Sequence, residues 1–146
     1  MRKLNEIVIH CLATEQGKEF SVKQITKWHV KGRGFRDIGY HFVIHIDGKI
    51  ERGRPLAQMG AHAKGHNRNS VGVVYVGGLI NGKPADTRTV PQIHALRGLV
   101  EALKSAFNIV KVVGHRDLSV DLNGDGVISK QERMKECPCF NVKTEL

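Results

Sequence analysis

The residues with most chemistry to offer lie far apart in the chain. His10 closes the apolar run EIVIH, His115 closes KVVGH, and Cys137 follows 22 residues after His115 inside the turn-like CPC. Each histidine sits at or just inside the end of a predicted strand, where an α/β domain commonly places its chemistry. Two neutral imidazoles and a thiolate suit zinc, and three protein ligands leave the fourth tetrahedral position for water or substrate. Core histidines and a buried cysteine are the plainer reading, because ligands so widely separated form no local signature. The same set also raises type-1 copper, with Met134 or Met59 as axial ligand. Copper sites usually gather their ligands in one short terminal loop, and these are spread over the chain.

A second constellation is contiguous. DLNGDGVISKQE, residues 121–132, matches the calcium loop of an EF-hand. Oxygen ligands fall at Asp121, Asn123 and Asp125, the turn glycine is Gly126, and Val127 supplies a backbone carbonyl. Ser129 ligates directly or through water, and Glu132 closes the loop. An EF-hand needs a helix on both sides, yet VVGHRDLSV upstream reads as a strand and a turn. Calcium is therefore expected here as a structural ion bracing the segment that leads to Cys137, not as a sensor's switch. An Asp/Asn/Gly-rich surface turn is the competing reading.

The elements that must position these groups follow from hydrophobic period and turn signals. EIVIHCL is an apolar, β-branched run and predicts a buried strand. Ser21 caps a predicted helix to about Lys31, with Val22, Ile25 and Trp28 on its inner face and His29 at the surface. Gly32 and Gly34 end it. YHFVIHI predicts a strand turning at Asp47-Gly48 into KIERGR. AHAKGHNRNS reads as a polar loop, SVGVVYVGG as an interior strand, and LINGKPADTRT as a turn-rich connection. Thr89 caps a helix to about Phe107 with Ile93, Leu96, Val100 and Leu103 on one face. IVKVVGH is the last core strand, and a short helix is expected near 130–136. The order β-α-β-β-β-α-β-α indicates an α/β or α+β domain: a mixed central sheet flanked by helices.

The chain has 146 residues, 40% hydrophobic and 25% charged, in keeping with a single domain over 1–146 that carries 121–132 as an insertion. A formal charge of +9 favours an anionic partner such as nucleic acid, a membrane surface or cell wall. Aromatics at 5% leave few stacking platforms for single-stranded nucleic acid. No run approaches the ~20 apolar residues of a membrane span, and the basic start MRKLNEIVIHC has too short an apolar stretch for a signal peptide. Synthesis in the cytoplasm is expected. Three cysteines, Cys11, Cys137 and Cys139, make no disulfide framework in a protein this size.

Five blocks in order, IVIHCLAT, DIGYHFVIHIDGKIERGR, GAHAKGHNRNSVGVVYVGG, VVGHRDL and KECPCF, cover nearly the whole chain. Together they closely resemble the zinc-dependent N-acetylmuramoyl-L-alanine amidases of the phage-lysozyme type, relatives of the peptidoglycan recognition proteins. The resemblance implies a mixed central sheet flanked by helices. It also implies hydrolysis of the amide between the lactyl group of N-acetylmuramic acid and the first L-alanine of the stem peptide. By position it makes His10, His115 and Cys137 the zinc ligands, and Tyr40 and Lys135 the catalytic pair. The chemistry agrees: an amide needs a polarised carbonyl, a strong nucleophile at neutral pH and a donor for the developing oxyanion. The loop AHAKGHN is implied to line the substrate groove, with His62, His66, Asn67 and Asn69 as contacts and His62 nearest the metal. A structural turn is an equal reading for Asn67 and Asn69. The family pattern favours Cys137 over Cys139 as ligand, and strand alternation turns Cys11 away from a metal held by His10.

Peptidoglycan or muropeptides are then the expected partner, with no nucleic acid or membrane, and the protein is expected to be a monomer. A phage or prophage endolysin reaching the wall through a holin-made lesion is the natural setting. Two alternatives stand beside it: a peptidoglycan-binding module that does not cut, and an amidase of muropeptide recycling.

Overall fold

The computed structural model describes residues 1–119, 128 and 135–146. The calcium-loop pattern, with Asp121, Asn123, Asp125, Val127, Ser129 and Glu132, lies outside the described residues.

Five strands form the central sheet: β1 (Glu6–Cys11), β3 (Phe42–Ile44), β4 (Ile50–Arg52), β5 (Ser70–Tyr75) and β8 (Lys111–Gly114), in the order β4-β3-β5-β1-β8. β3, β5, β1 and β8 run parallel, and only the edge strand β4 is antiparallel. β1 and β5 are Val/Ile-rich and almost wholly buried, as expected where both faces of a parallel sheet are covered. The expected turn at Asp47-Gly48 joins β3 to β4, with Gly48 at φ +89°.

Alternation along the strands sorts the chemistry to one face. Ile7, Ile9 and Cys11 of β1 and Val71, Val73 and Tyr75 of β5 join one core with Leu96, Leu99, Val100 and Leu103 of α2 (Val90–Ala106). Val8 and Val74 belong to the other face, beside Ala63 and Ile25 respectively. His10 and Gly72 have the same parity as these and share that second face. α2 starts as its sequence dictates: Thr89 and Gln92 form a reciprocal capping box, with proline in the first turn. The buried Gln92 amide also donates to the carbonyls of Val76 and Ile44, at 2.9 and 3.3 Å, fastening the helix to the strand ends.

Two expectations change. The first helix is α only over α1 (Val22–Lys27) and continues as a π-turn over Trp28–Gly32. The wider turn shifts the helix phase, so His29 is buried at 6% exposure while Trp28 is 42% exposed, the reverse of the expected face. The connection LINGKPADTRT also contains structure. β6 (Gly78–Ile80) and β7 (Lys83–Pro84) form a hairpin around Asn81-Gly82, and β6 pairs with the short β2 (Thr14–Glu15). Both turn residues have positive φ, +52° and +75°, which is what a two-residue hairpin loop demands. Toward the C-terminus, Lys135 and Glu136 are not helical, and the described chain ends with α3 (Val142–Glu145).

Candidate metal centre and cleft

His10 is the penultimate residue of β1, and His115 is the first residue beyond β8, in the one-turn helix His115–Leu118. Because Ile9 pairs with Gly114 in the parallel register, both histidines emerge at the carboxyl end of the sheet at the same level. Their rings lie 4.6 Å apart between centroids. Cys137 arrives from the far end of the chain and is pinned from several sides. Its carbonyl accepts from the Arg116 amide at 2.8 Å, and its sulfur accepts from the Cys11 amide at 3.1 Å. The next residue, Pro138, packs so closely on Gly114 that a Cβ there would come within 2.7 Å of the proline ring, and its carbonyl accepts from the Tyr75 hydroxyl.

One ligand atom from each of His10, His115 and Cys137 lies within 4.8 Å of the other two. This nitrogen, nitrogen, sulfur set suits zinc, whose bonds run about 2.0–2.3 Å. The imidazoles are held in the neutral form that a ligand requires. Burial, with His62, His115 and Lys135 nearby, keeps His10 well below its usual value, and burial with Lys135 brings His115 down to about 4.

Cys11 and Cys139 are not members of this set, although both the amide and the thiol of Cys11 adjoin Cys137. Their sulfurs are 4.0 Å from each other, and Cys139 also points at the Gly78 carbonyl, 3.6 Å away. Cys11 faces the α2 core, opposite to His10, as strand alternation requires.

Tyr40 packs its ring 5.2 Å from that of His10. Burial pushes its hydroxyl above the usual phenol range, so it is a neutral donor at neutral pH. On its other side it contacts His29, whose Nδ1 accepts from the Gly39 amide at 2.8 Å. His29 thus supports the turn that presents Tyr40. Sequence reasoning missed this role because the π-turn that aims His29 inward leaves no periodic signal.

A cleft of about 840 Å³ opens beside the cluster, with His115 and Lys135 in its wall. Arg33, Phe35, Lys64 and Leu118 line the rest, so the cleft is basic with apolar patches. The loop residues His62, His66 and Asn67 also line it. Asn69 does not: its carbonyl instead accepts from the amides of Asn5 and Glu6 at the start of β1. The Asn67 side chain braces the loop, its Oδ1 accepting from the amides of His62 and Ala63 at 3.0 Å each. His66 is exposed. His62 is buried, and both ring nitrogens have protein partners, His10 and Ser70.

Another contact absent from the sequence reading comes from Arg2. Its guanidinium donates to the carbonyls of Leu56, Arg68 and Ser70 at 2.8–3.2 Å, tying the first residues to both ends of the cleft loop. Nothing local in the sequence marks such a long-range clamp.

Fold and site therefore define a mixed α/β domain with two histidines and a cysteine grouped as a metal ion could use them, beside a basic cleft. Residues 1–139 match the family model of the N-acetylmuramoyl-L-alanine amidases, and the chain belongs to that family. It is an enzyme, an N-acetylmuramoyl-L-alanine amidase acting on peptidoglycan. Among its relatives, the endolysin of Klebsiella phage KP32 is 36% identical over 143 residues, spanning 97% of this chain and 85% of that protein. The amidase LysC from Clostridium intestinale is similar in structure, with TM-score 0.74 and 31% identity over 99% of this chain and 82% of its own. PGRP-LB of Drosophila superposes with TM-score 0.73 at 25% identity, over 99% of this chain and 80% of its own.

Proposed function

We propose that this amidase is a zinc enzyme with endolysin function, cutting between the lactyl group of N-acetylmuramic acid and L-alanine in intact cell wall. The observation that carries the metal assignment is the convergence of His10, His115 and Cys137 within 4.8 Å at the open end of the parallel sheet, beside a basic cleft. Zinc, when bound, supplies a Lewis acid for the amide carbonyl and a nucleophilic water at neutral pH.

The chain's own residues do the rest. Lys135, exposed in the cleft wall, brings an ammonium to the negative charge that grows on the carbonyl oxygen. Tyr40 orients the attacking water or the same oxygen through its hydroxyl. One of the two returns a proton to the departing L-alanine amine, which must leave neutral. Arg33 and Lys64 give the cleft a charge suited to stem-peptide carboxylates, and His66 is the best placed of the loop residues for substrate contact. The endolysin setting is supported by the phage relative; release to the wall through a holin-made lesion belongs to the proposal on that setting. A calcium ion on Asp121, Asn123, Asp125, Val127, Ser129 and Glu132 belongs to this proposal on the sequence pattern alone.

The test is metal analysis of purified protein coupled to release of free amino groups from purified peptidoglycan. About one zinc per chain is expected, with activity lost on chelation and restored by zinc. A metal-free protein of undiminished activity would overturn the zinc assignment. Zinc binding without amine release would instead leave a binding module.

A further inference from the structure

His62 is buried beside the metal cluster in a slot made for its ring. A Cβ on Gly72 would lie 2.5 Å from the imidazole, and one on Gly60 2.8 Å from it. Both glycines have ordinary φ values, so what they supply is room, not backbone freedom. In that slot the ring meets His10 edge-on, at 5.0 Å and 89°. Its Nδ1 is 2.9 Å from His10 Nε2, and its Nε2 is 3.2 Å from Ser70 Oγ. Ser70 Oγ in turn is 2.6 Å from the His66 carbonyl.

The direction of this chain can be worked out from its far end. A backbone carbonyl only accepts, so the Ser70 hydroxyl spends its one proton on His66. Ser70 Oγ is then an acceptor toward His62, and the His62 proton sits on Nε2. That leaves Nδ1 bare, so the bond to His10 requires His10 to carry its proton on Nε2. His10 Nδ1 is left with a free lone pair. No other assignment satisfies all three bonds with neutral rings.

We propose that His62 is a positioning residue: aligned by Ser70, it fixes His10 in the tautomer and orientation that offer Nδ1 to the metal. This inference rests on the zinc reading of the cluster. An imidazole that holds a metal through one nitrogen gains basicity and a fixed plane when the other donates to a partner. The usual partner is a carboxylate or carbonyl; here it is a second histidine, made a pure acceptor at Nδ1 by the serine behind it. His62 accordingly has no free nitrogen for substrate.

Two measurements test this. Nitrogen-15 NMR of the metal-free wild type should show His10 protonated at Nε2 and His62 likewise, and zinc should perturb His10 Nδ1. Protonation of His10 at Nδ1 would overturn the proposal without any variant. Competition against a chromophoric chelator then reads zinc affinity. His62→Leu should weaken it about 10–100-fold, and His62→Asn, whose side-chain oxygen can accept the Nε2 proton, should recover most of that loss. Ser70→Ala, which leaves the ring in its slot, should cost a smaller part of it and make the His62 tautomer mixed. Equal affinity in wild type, His62→Leu and Ser70→Ala would overturn the proposal. If His62→Leu does not fold, Ser70→Ala and the wild-type spectrum decide. Failure of wild type to bind zinc at all would defeat the zinc reading, while the tautomer result would still stand or fall separately.

Discussion

In the proposed mechanism Lys135 and Tyr40 serve the same reacting atoms from different environments. Tyr40 is enclosed between two imidazoles, whereas Lys135 is exposed on the cleft wall and has charge but little packing to lose. Lys135→Ala should therefore retain zinc and melting temperature while turnover of purified cell wall drops by about 10²-fold or more, the usual cost of removing one oxyanion donor. Turnover within a few-fold of wild type would remove Lys135 from the chemistry. At this scale the sequence was informative where a residue ends an apolar run: His10 and His115 stood out because β-branched strands announce their own termini. Ser70 and Arg2 did not. Each acts through contacts to residues remote in sequence or to backbone carbonyls, and a carbonyl's position is not encoded in any side chain.

Among the elements, strands and long helices were legible because burial forces a period on them. β1, β5 and β8 appear where apolar runs predict, and α2 keeps Leu96, Val100 and Leu103 of the predicted face, with Gln92 and Leu99 buried and Ile93 only half-buried. The π-turn over Trp28–Gly32 was not legible, since one extra residue per turn breaks the period by which a helix is read. The β6–β7 hairpin carried a local signal in Asn81-Gly82, but its flanking strands are too short to alternate. The calcium-loop pattern is the element whose role most needs measurement, because it lies between His115 and Lys135 in sequence. Asp121, Asp125 and Glu132 would repel one another if gathered into such a loop without an ion. Calcium should raise the melting temperature relative to excess EGTA with zinc resupplied, and should raise activity if the segment is braced for Lys135 and Cys137. Coincident melting curves and equal activities would mean that the pattern is a surface turn.

Over the whole molecule, two global charge effects pull on function and stability. The formal +9 charge, with Arg33, Lys64 and Lys135 around the cleft, draws the enzyme to an anionic polymer over a distance set by ionic strength. Raising salt from about 0.05 to 0.3 M shrinks that distance below about 10 Å. Turnover of intact wall should fall several-fold while hydrolysis of a small soluble muropeptide changes far less; equal losses would place the charge effect inside the catalytic step. Protonation acts on the fold itself. Burial, together with Arg2 and Arg54, lowers His41 to about 4 even though the Gln58 carbonyl accepts from its Nε2, and burial with Arg33 and Arg54 lowers His29 to about 4. An unfolded histidine titrates near 6.5. Between pH 6.5 and 4 the unfolded chain therefore binds the extra protons, so stability falls as pH falls through that window. His45 works the other way: the carboxylates of Glu19 and Glu51, each 2.8 Å away, outweigh its burial and raise it, so its contribution is lost as pH rises. The acid side belongs to the lowered histidines, His10, His62 and His115 as well as His41 and His29. For His41, which is almost completely buried, the window is worth about 3 kcal/mol at most. Urea unfolding of His41→Gln should show a correspondingly shallower decline from pH 6.5 to 4 than wild type at the same zinc concentration, since the other lowered histidines titrate in both. A parallel decline would mean that His41 titrates normally in the fold, and the acid sensitivity would then lie with the cluster.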